Sequence, residues 1–182
     1  EMCIRDRDYY GRELKPRRLR ISFAIQAKPL GTADAVAAAA SFAGNDPVLV
    51  INSDNYYPPI ALSSLRELTT SGLAGFERDA MLAGSNIPAD RISKFSVIQV
   101  DGADTMTRII EKPEPAVLAA LPEPIRFSMN CWRFSPAIFE ACRNIAPSAR
   151  GELELPDAVQ YAIDRLGETF RVLTIKAPVL DL

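Results

Sequence analysis

Short apolar stretches recur along this chain, each followed by a polar tip and then by a segment of helical character, and that alternation leaves few folds open. Val48-Leu49-Val50-Ile51 is the plainest case. It is apolar at every position and mostly β-branched, the composition of a strand covered on both faces of a parallel sheet. Ile21 to Gln26 alternates apolar and polar residues, the period of a strand with one covered face. Leu73–Phe76, Phe127–Phe134 and Arg171–Lys176 read as further strands. Phe95–Val100 and Met106–Glu111 flank Asp101-Gly102, a turn pair that predicts a hairpin. Helical patterns fall between them, at Asp34–Phe42, Ile60–Ser71, Ser135–Ile145 and from Leu155 to Gly167. Strands alternating with helices predict an α/β fold: a mostly parallel sheet in three layers.

Local signals punctuate the helices. Thr32 is placed to cap the first, with Asp34 favourable in its opening turn. Gly44-Asn45-Asp46-Pro47 ends that helix, Gly72 closes the second and Gly167 the last. Pro136 suits a first helical position. Ser85–Arg91 reads as an irregular loop. A chain of 182 residues supports one core, so one domain is expected.

Composition excludes several classes. A net charge of -2 and a pI near 5.3 argue against nucleic-acid binding, which needs an excess of Lys and Arg. Pro, Ser or charge interrupts every candidate membrane span, and the Arg-rich start lacks the apolar centre of a signal peptide. Cys3, Cys131 and Cys142 have no CxxC spacing, and the chain has no histidine. Zinc, Ser-His-Asp and Cys-His chemistry are therefore set aside. Any catalytic site must draw on carboxylates, Lys or Arg, with a hard cation bound through oxygen. Unpaired thiols suit a reducing cytoplasm.

The ends read as cut. Met2-Cys3-Ile4-Arg5-Asp6-Arg7 resembles a translated sequencing adapter, so 1–19 is expected to be scar and partial lead-in and 20–182 the domain, truncated at both ends. The last residues, Val179 to Leu182, read as the start of a strand.

In open α/β sheets ligands bind beyond the carboxyl ends of strands, which selects a few polar tips. Asp54 directly follows the Val48–Ile51 run. One carboxylate with substrate phosphates is a common way to hold Mg²⁺, and an Asx-turn is the structural alternative. Glu111-Lys112-Pro113 puts an anion and a cation at a strand end, where Lys can neutralise a phosphate or simply sit in a solvated pair. Asn130, in an apolar strand, needs a partner, which a sugar hydroxyl or a neighbouring backbone group would supply. Trp132 and Phe134 read as core, and Tyr9, Tyr10, Tyr56 and Tyr57 as half-buried packing.

The order of these tips carries more than any one of them. Gln26 to Ala35, with Pro29-Leu30-Gly31-Thr32 at its centre, resembles the "Q-x-x-P-L-G-T-A-x-A" stretch of the sugar-1-phosphate nucleotidylyltransferase (NDP-sugar pyrophosphorylase) family. Val48–Asp54 resembles its metal-site strand, Glu111-Lys112-Pro113 its "E-K-P", Met129-Asn130 its sugar-binding "N-x-G" region, and Gly151–Ala158 its "G-E-x-x-L-T-D-A" helix start. The resemblance runs from about Arg20 to the C-terminus. It implies a Rossmann-like fold of the nucleotide-diphospho-sugar transferase type.

The same resemblance implies residue roles. Gln26, Gly31 and Thr32 would bind the nucleotide, Glu111, Lys112 and Asn130 the sugar phosphate, and Asp54 with Asp181 the metal, Mg²⁺. Asp54 and Lys112 would serve catalysis. The partners would be a nucleoside triphosphate and a sugar 1-phosphate, with no nucleic acid or membrane, and a homo-oligomer stays open. The family's glycine-rich "G-x-G-T-R" loop is not in this sequence, so the fragment is expected to be inactive alone, and Cys131-Trp132 replaces the small residue often found after the Asn. A non-catalytic regulatory homologue and a metal-dependent glycosyltransferase of related fold stay open as alternatives, although Ser53-Asp54-Asn55 lacks the Asp-x-Asp of the latter.

Overall fold

One long strand organises the molecule. In the computed structural model, which describes residues 8–14 and 16–182, strand β6 (Arg126–Phe134) carries neighbours on both edges. The adapter-like residues Met2–Arg7, Cys3 among them, lie outside the described residues. On one edge β3 (Ser71–Glu77) runs beside β6 along most of its length, and β7 (Phe170–Ile175) lies beyond it. The other edge is divided. β1 (Val48–Val50) pairs with Trp132–Phe134, and β4 (Val97–Val100) with Arg126–Phe127. Residues 128–131 lie between those two ladders. β5 (Met106–Ile110) completes the sheet through the hairpin predicted at Asp101.

The expected direction of the strands holds in part. β1, β3, β4 and β7 all run the same way, but β6 lies reversed among them, so only β3 and β7 form a parallel ladder. Apolar periodicity carries no sense of direction. The turn after β4 reverses the chain into β5, and the 111–125 connection delivers β6 in that same reversed sense.

Alternation along the strands sends side chains to two cores, giving the three layers. On one face Trp132 and Phe134 stack at 5.4 Å between centroids, and both meet Phe170 edge-on. Helices α1 (Thr32–Ala38), α7 (Ala137–Asn144) and α8 (Leu155–Leu166) cover them. On the other face Phe76 and Phe127 pack under α3 (Pro59–Glu67), α4 (Arg78–Gly84) and α5 (Ala89–Ile92). Short helices α2 (Ala40–Ala43) and α6 (Pro115–Ala119) complete the set, with a π-helical turn at Tyr9–Glu13 and a two-stranded ladder of β2 (Asn55–Tyr56) and β8 (Leu180–Asp181).

Several expectations are corrected. Ile21–Gln26 forms no strand, because alternation needs a neighbouring backbone and no described strand lies beside it. β1 is not covered on both faces: among the described strands it pairs with β6 alone, and Leu49 and Ile51 are exposed. The helix from Ile60 stops at Glu67, since Ser71 and Gly72 are claimed by β3, whose backbone lies so close to Leu68 and Arg171 that a Cβ at Gly72 would collide with both. The helices at Arg78–Gly84, Ala89–Ile92 and Pro115–Ala119 are too short for periodicity to detect. No helix among the described residues is long and apolar enough to cross a membrane.

Candidate functional site

The gap between β1 and β4 opens onto a break in β6. Leu73 pairs with Trp132, yet Gly75, two residues on, pairs with Ser128, so β6 carries extra residues between its paired positions. Asn130 sits in that bulge with φ +53°. Asn tolerates this left-handed conformation better than most residues, and bulges beside a site re-aim side chains. Its Oδ1 accepts a hydrogen bond from Trp132 Nε1 at 3.4 Å.

The tip after β1 reaches this bulge. Tyr57, buried beneath it, donates its hydroxyl to Met129 O at 2.6 Å, accepts from Asn52 N at 3.2 Å, and lies 3.3 Å from Asn55 Oδ1. Burial pushes the Tyr57 hydroxyl well above the usual phenol range, so it stays a neutral donor. Asn55 pairs with Asp181 across the β2–β8 ladder, and Leu182 N donates to Asp54 O at 2.9 Å. Asp54, Asn130 and Asp181, far apart in sequence, thereby line one cleft of about 130 Å³ with Asn52, Asn55, Ser128 and Phe95. That is below the roughly 300–1,000 Å³ of drug-sized ligand pockets, so the cleft suits an ion and the reacting end of a substrate.

A second group gathers around the loop before α1. Gly31, at φ +121°, lies so close to Leu153 that an added Cβ would stand 2.5 Å from its carbonyl oxygen. Leu153 N donates to Leu30 O and Ala33 N to Leu153 O, clamping the two segments together. Thr32 does not cap its own helix. Gly31 holds that position, and Thr32 Oγ1 instead accepts from Leu155 N at 2.9 Å, satisfying the start of α8. Gln26 Nε2 is engaged by Gly31 O and Asp34 Oδ2.

Glu111 and Lys112 do not line the Asp54 cleft. Both are exposed, and Lys112 holds φ +43°, a strained conformation for a long side chain. The Arg150 guanidinium is held charged first by its hydrogen bond to Glu154, then by the charges of Glu154 and Glu152, and weakly by Glu111.

Sequence reasoning missed three groups here. Tyr57 is not half-buried packing but the post that ties the tip to the bulge. Asn86 clasps the backbone of Asp181, donating to its carbonyl at 2.7 Å and accepting from its N–H at 2.8 Å. Arg91 pairs with the Asp181 carboxylate at 3.0 Å. Asn86 and Arg91 both lie in the stretch read as loop, Ser85–Arg91, whose last residues form α5 instead, and no motif marks them. For metal chemistry, the cleft offers hard oxygen donors: two carboxylates, the amide oxygens of Asn52, Asn55 and Asn130, and the Ser128 hydroxyl. No group of three or more His, Cys, Asp and Glu arranged for a metal occurs among the described residues. Two carboxylates fit a hard cation that keeps waters and takes further ligands from phosphates.

Comparisons with known proteins agree with this architecture. Residues 5–176 match the nucleotidyl transferase family model. A glucose-1-phosphate thymidylyltransferase of Streptomyces griseus is 34% identical over 146 residues, covering 80% of this chain and 38% of that protein. A UTP–glucose-1-phosphate uridylyltransferase of Streptococcus pneumoniae serotype 4 is 31% identical over 161 residues, covering 85% and 51%. The chain thus spans about half the length, or less, of these relatives. UTP-bound UGPase from Acinetobacter baumannii superposes with a TM-score of 0.69 at 17% identity, covering 99% of this chain and 61% of the other. A UDP-glucose pyrophosphorylase complexed with UDP-glucose gives 0.63 at 18% identity, covering 98% and 64%. At such identity the likeness is one of fold, the Rossmann-like α/β type. With the family model matching nearly its whole length, the chain belongs to the nucleotidyl transferase family.

Proposed function

We propose that the protein carrying this chain transfers a nucleotidyl group from a nucleoside triphosphate to a sugar 1-phosphate, forming an NDP-sugar and releasing pyrophosphate. The observation that carries this reading is the meeting of Asp54, in the turn leading into β2, with Asp181, on the partner strand β8, beside the Asn130 bulge. Asp54 and Asp181 would hold Mg²⁺, which when bound supplies positive charge to phosphate oxygens. The nucleophile is a phosphate monoester oxygen, already charged at neutral pH because the second pKa is near ~6. No histidine base is required, and the chain has none.

The remaining roles fall to positioning and charge. Asn130 orients a sugar hydroxyl from the bulge. Glu111 and Lys112 hold the sugar and its phosphate, the ammonium acting as a point charge. Gln26 Nε2 is spent within its own loop, so contact with a base falls to its Oε1 and to the backbone at Gly31. Thr32 acts indirectly, by fixing that loop to α8. The buried free thiols Cys131 and Cys142 suit a reducing cytoplasm.

A panel of nucleoside triphosphates and sugar 1-phosphates, followed by pyrophosphate release, tests the reading. Release that requires both substrates and yields an NDP-sugar is expected. Release from the triphosphate alone, or with every sugar phosphate inert, would contradict it.

A further inference from the structure

We infer that Arg91 is an exchangeable counter-ion, a positioning residue that holds the Asp181 carboxylate until a divalent cation takes it over. The inference rests on the proposed reading of Asp54 and Asp181 as cation ligands. Three observations carry it. Arg91 Nη1 lies 3.0 Å from Asp181 Oδ2, and Arg91 is the one cation among the described residues lining the cleft. Arg91 and Asp181 side chains are 55% and 31% exposed, so the pair is wet and easily exchanged. Asn86 meanwhile grips the Asp181 backbone through both its N–H and C=O, and Asn55 pairs with it from the other side. The backbone of Asp181 is therefore fixed whether or not Arg91 holds the carboxylate. Losing the guanidinium frees the side chain without releasing the strand.

The sign of the effect separates this role from a supporting one. A residue that only builds the site weakens cation binding when removed, whereas a competing counter-ion strengthens it. Exposed pairs of this kind shift an equilibrium by up to about fivefold. Binding of Mn²⁺ to the 182-residue chain, read from loss of the free-ion electron paramagnetic resonance signal, supplies the measurement. Arg91→Gln should bind Mn²⁺ about two- to fivefold more tightly than wild type, and Arg91→Lys should fall between. Thermal melts check that each variant is folded. In an Asp181→Asn background binding should be weaker, and Arg91→Gln should then change it little, because the partner for which Arg91 competes is gone. Unchanged or weaker binding by Arg91→Gln, or an equal gain in both backgrounds, overturns the exchange while leaving the cation site standing. Failure of every version to bind Mn²⁺ overturns the cation site and the exchange with it.

Discussion

At the scale of residues, the candidate positions divide into those whose chemistry is free to act and those already spent on the fold. Thr32 and Gln26 are largely spent, on Leu155 N and on Gly31 and Asp34. Lys112 is free, exposed at the end of β5 and held in a left-handed backbone conformation. Replacing Lys112 with Met keeps much of the stem and removes the charge. A charge-assisted hydrogen bond to phosphate is worth about 1.5–3 kcal/mol, so kcat/KM for the sugar phosphate should fall roughly ten- to a hundred-fold. Nucleotide affinity, measured by calorimetry, should scarcely change. Equal losses for both substrates would remove Lys112 from the sugar-phosphate side. Asp54 and Asn130 were legible as cleft positions because each follows or interrupts an apolar strand, whereas Glu111 and Lys112, read in the same way, stand outside that cleft. Arg91 and Asn86 were not legible, because their importance lies in contacts with Asp181 across some ninety positions of sequence.

At the scale of elements, the legible parts were those whose local and tertiary preferences agree. The helix from Leu155 to Leu166 has Pro156 in its first turn and Gly167 in the left-handed closing position, and both were readable. Ile21–Gln26 had the right period without a described neighbour, and periodicity reports faces rather than partners. The bulge at Asn130 was equally hidden, since it exists only in the register between β6 and β3. Tyr57 holds the tip of β1 to that bulge, which makes it the test of the element. Tyr57→Phe leaves the ring in place but deprives Met129 O of its donor. The expected loss is about 1–3 kcal/mol in urea unfolding, with Asn52–Asn55 loosened in hydrogen exchange. A variant as stable as wild type, with unaltered exchange at the tip, would remove the tether.

At the scale of the whole molecule, two apolar cores on opposite faces of one sheet hold the chain together, and each contains a buried thiol. Burial pushes both the Cys131 and Cys142 thiols up from the ordinary value of 9.0 to about 12. The folded pKa lies above the unfolded one, so this contribution is complete below about pH 9 and is lost as pH rises toward about 12. Denaturant midpoints should therefore fall across that window, and Cys131→Ala with Cys142→Ala should flatten the fall. A slope unaffected by losing both thiols would assign alkaline instability elsewhere.

The central claim concerns what the cleft does, and its most direct test is product formation by the natural protein that carries this sequence, with and without Asp54. Asp54→Asn keeps the shape of the tip, whose observed bond from Leu182 reaches the backbone carbonyl rather than the carboxylate. Phosphorus NMR of a nucleoside triphosphate and sugar 1-phosphate mixture should show an NDP-sugar with the parent protein. The variant should be slower by about a hundredfold or more at equal thermal stability, with its dependence on Mg²⁺ blunted. An Asp54→Asn protein that forms NDP-sugar at the parent rate in limiting Mg²⁺ would contradict the assignment of this cleft as the site of nucleotidyl transfer.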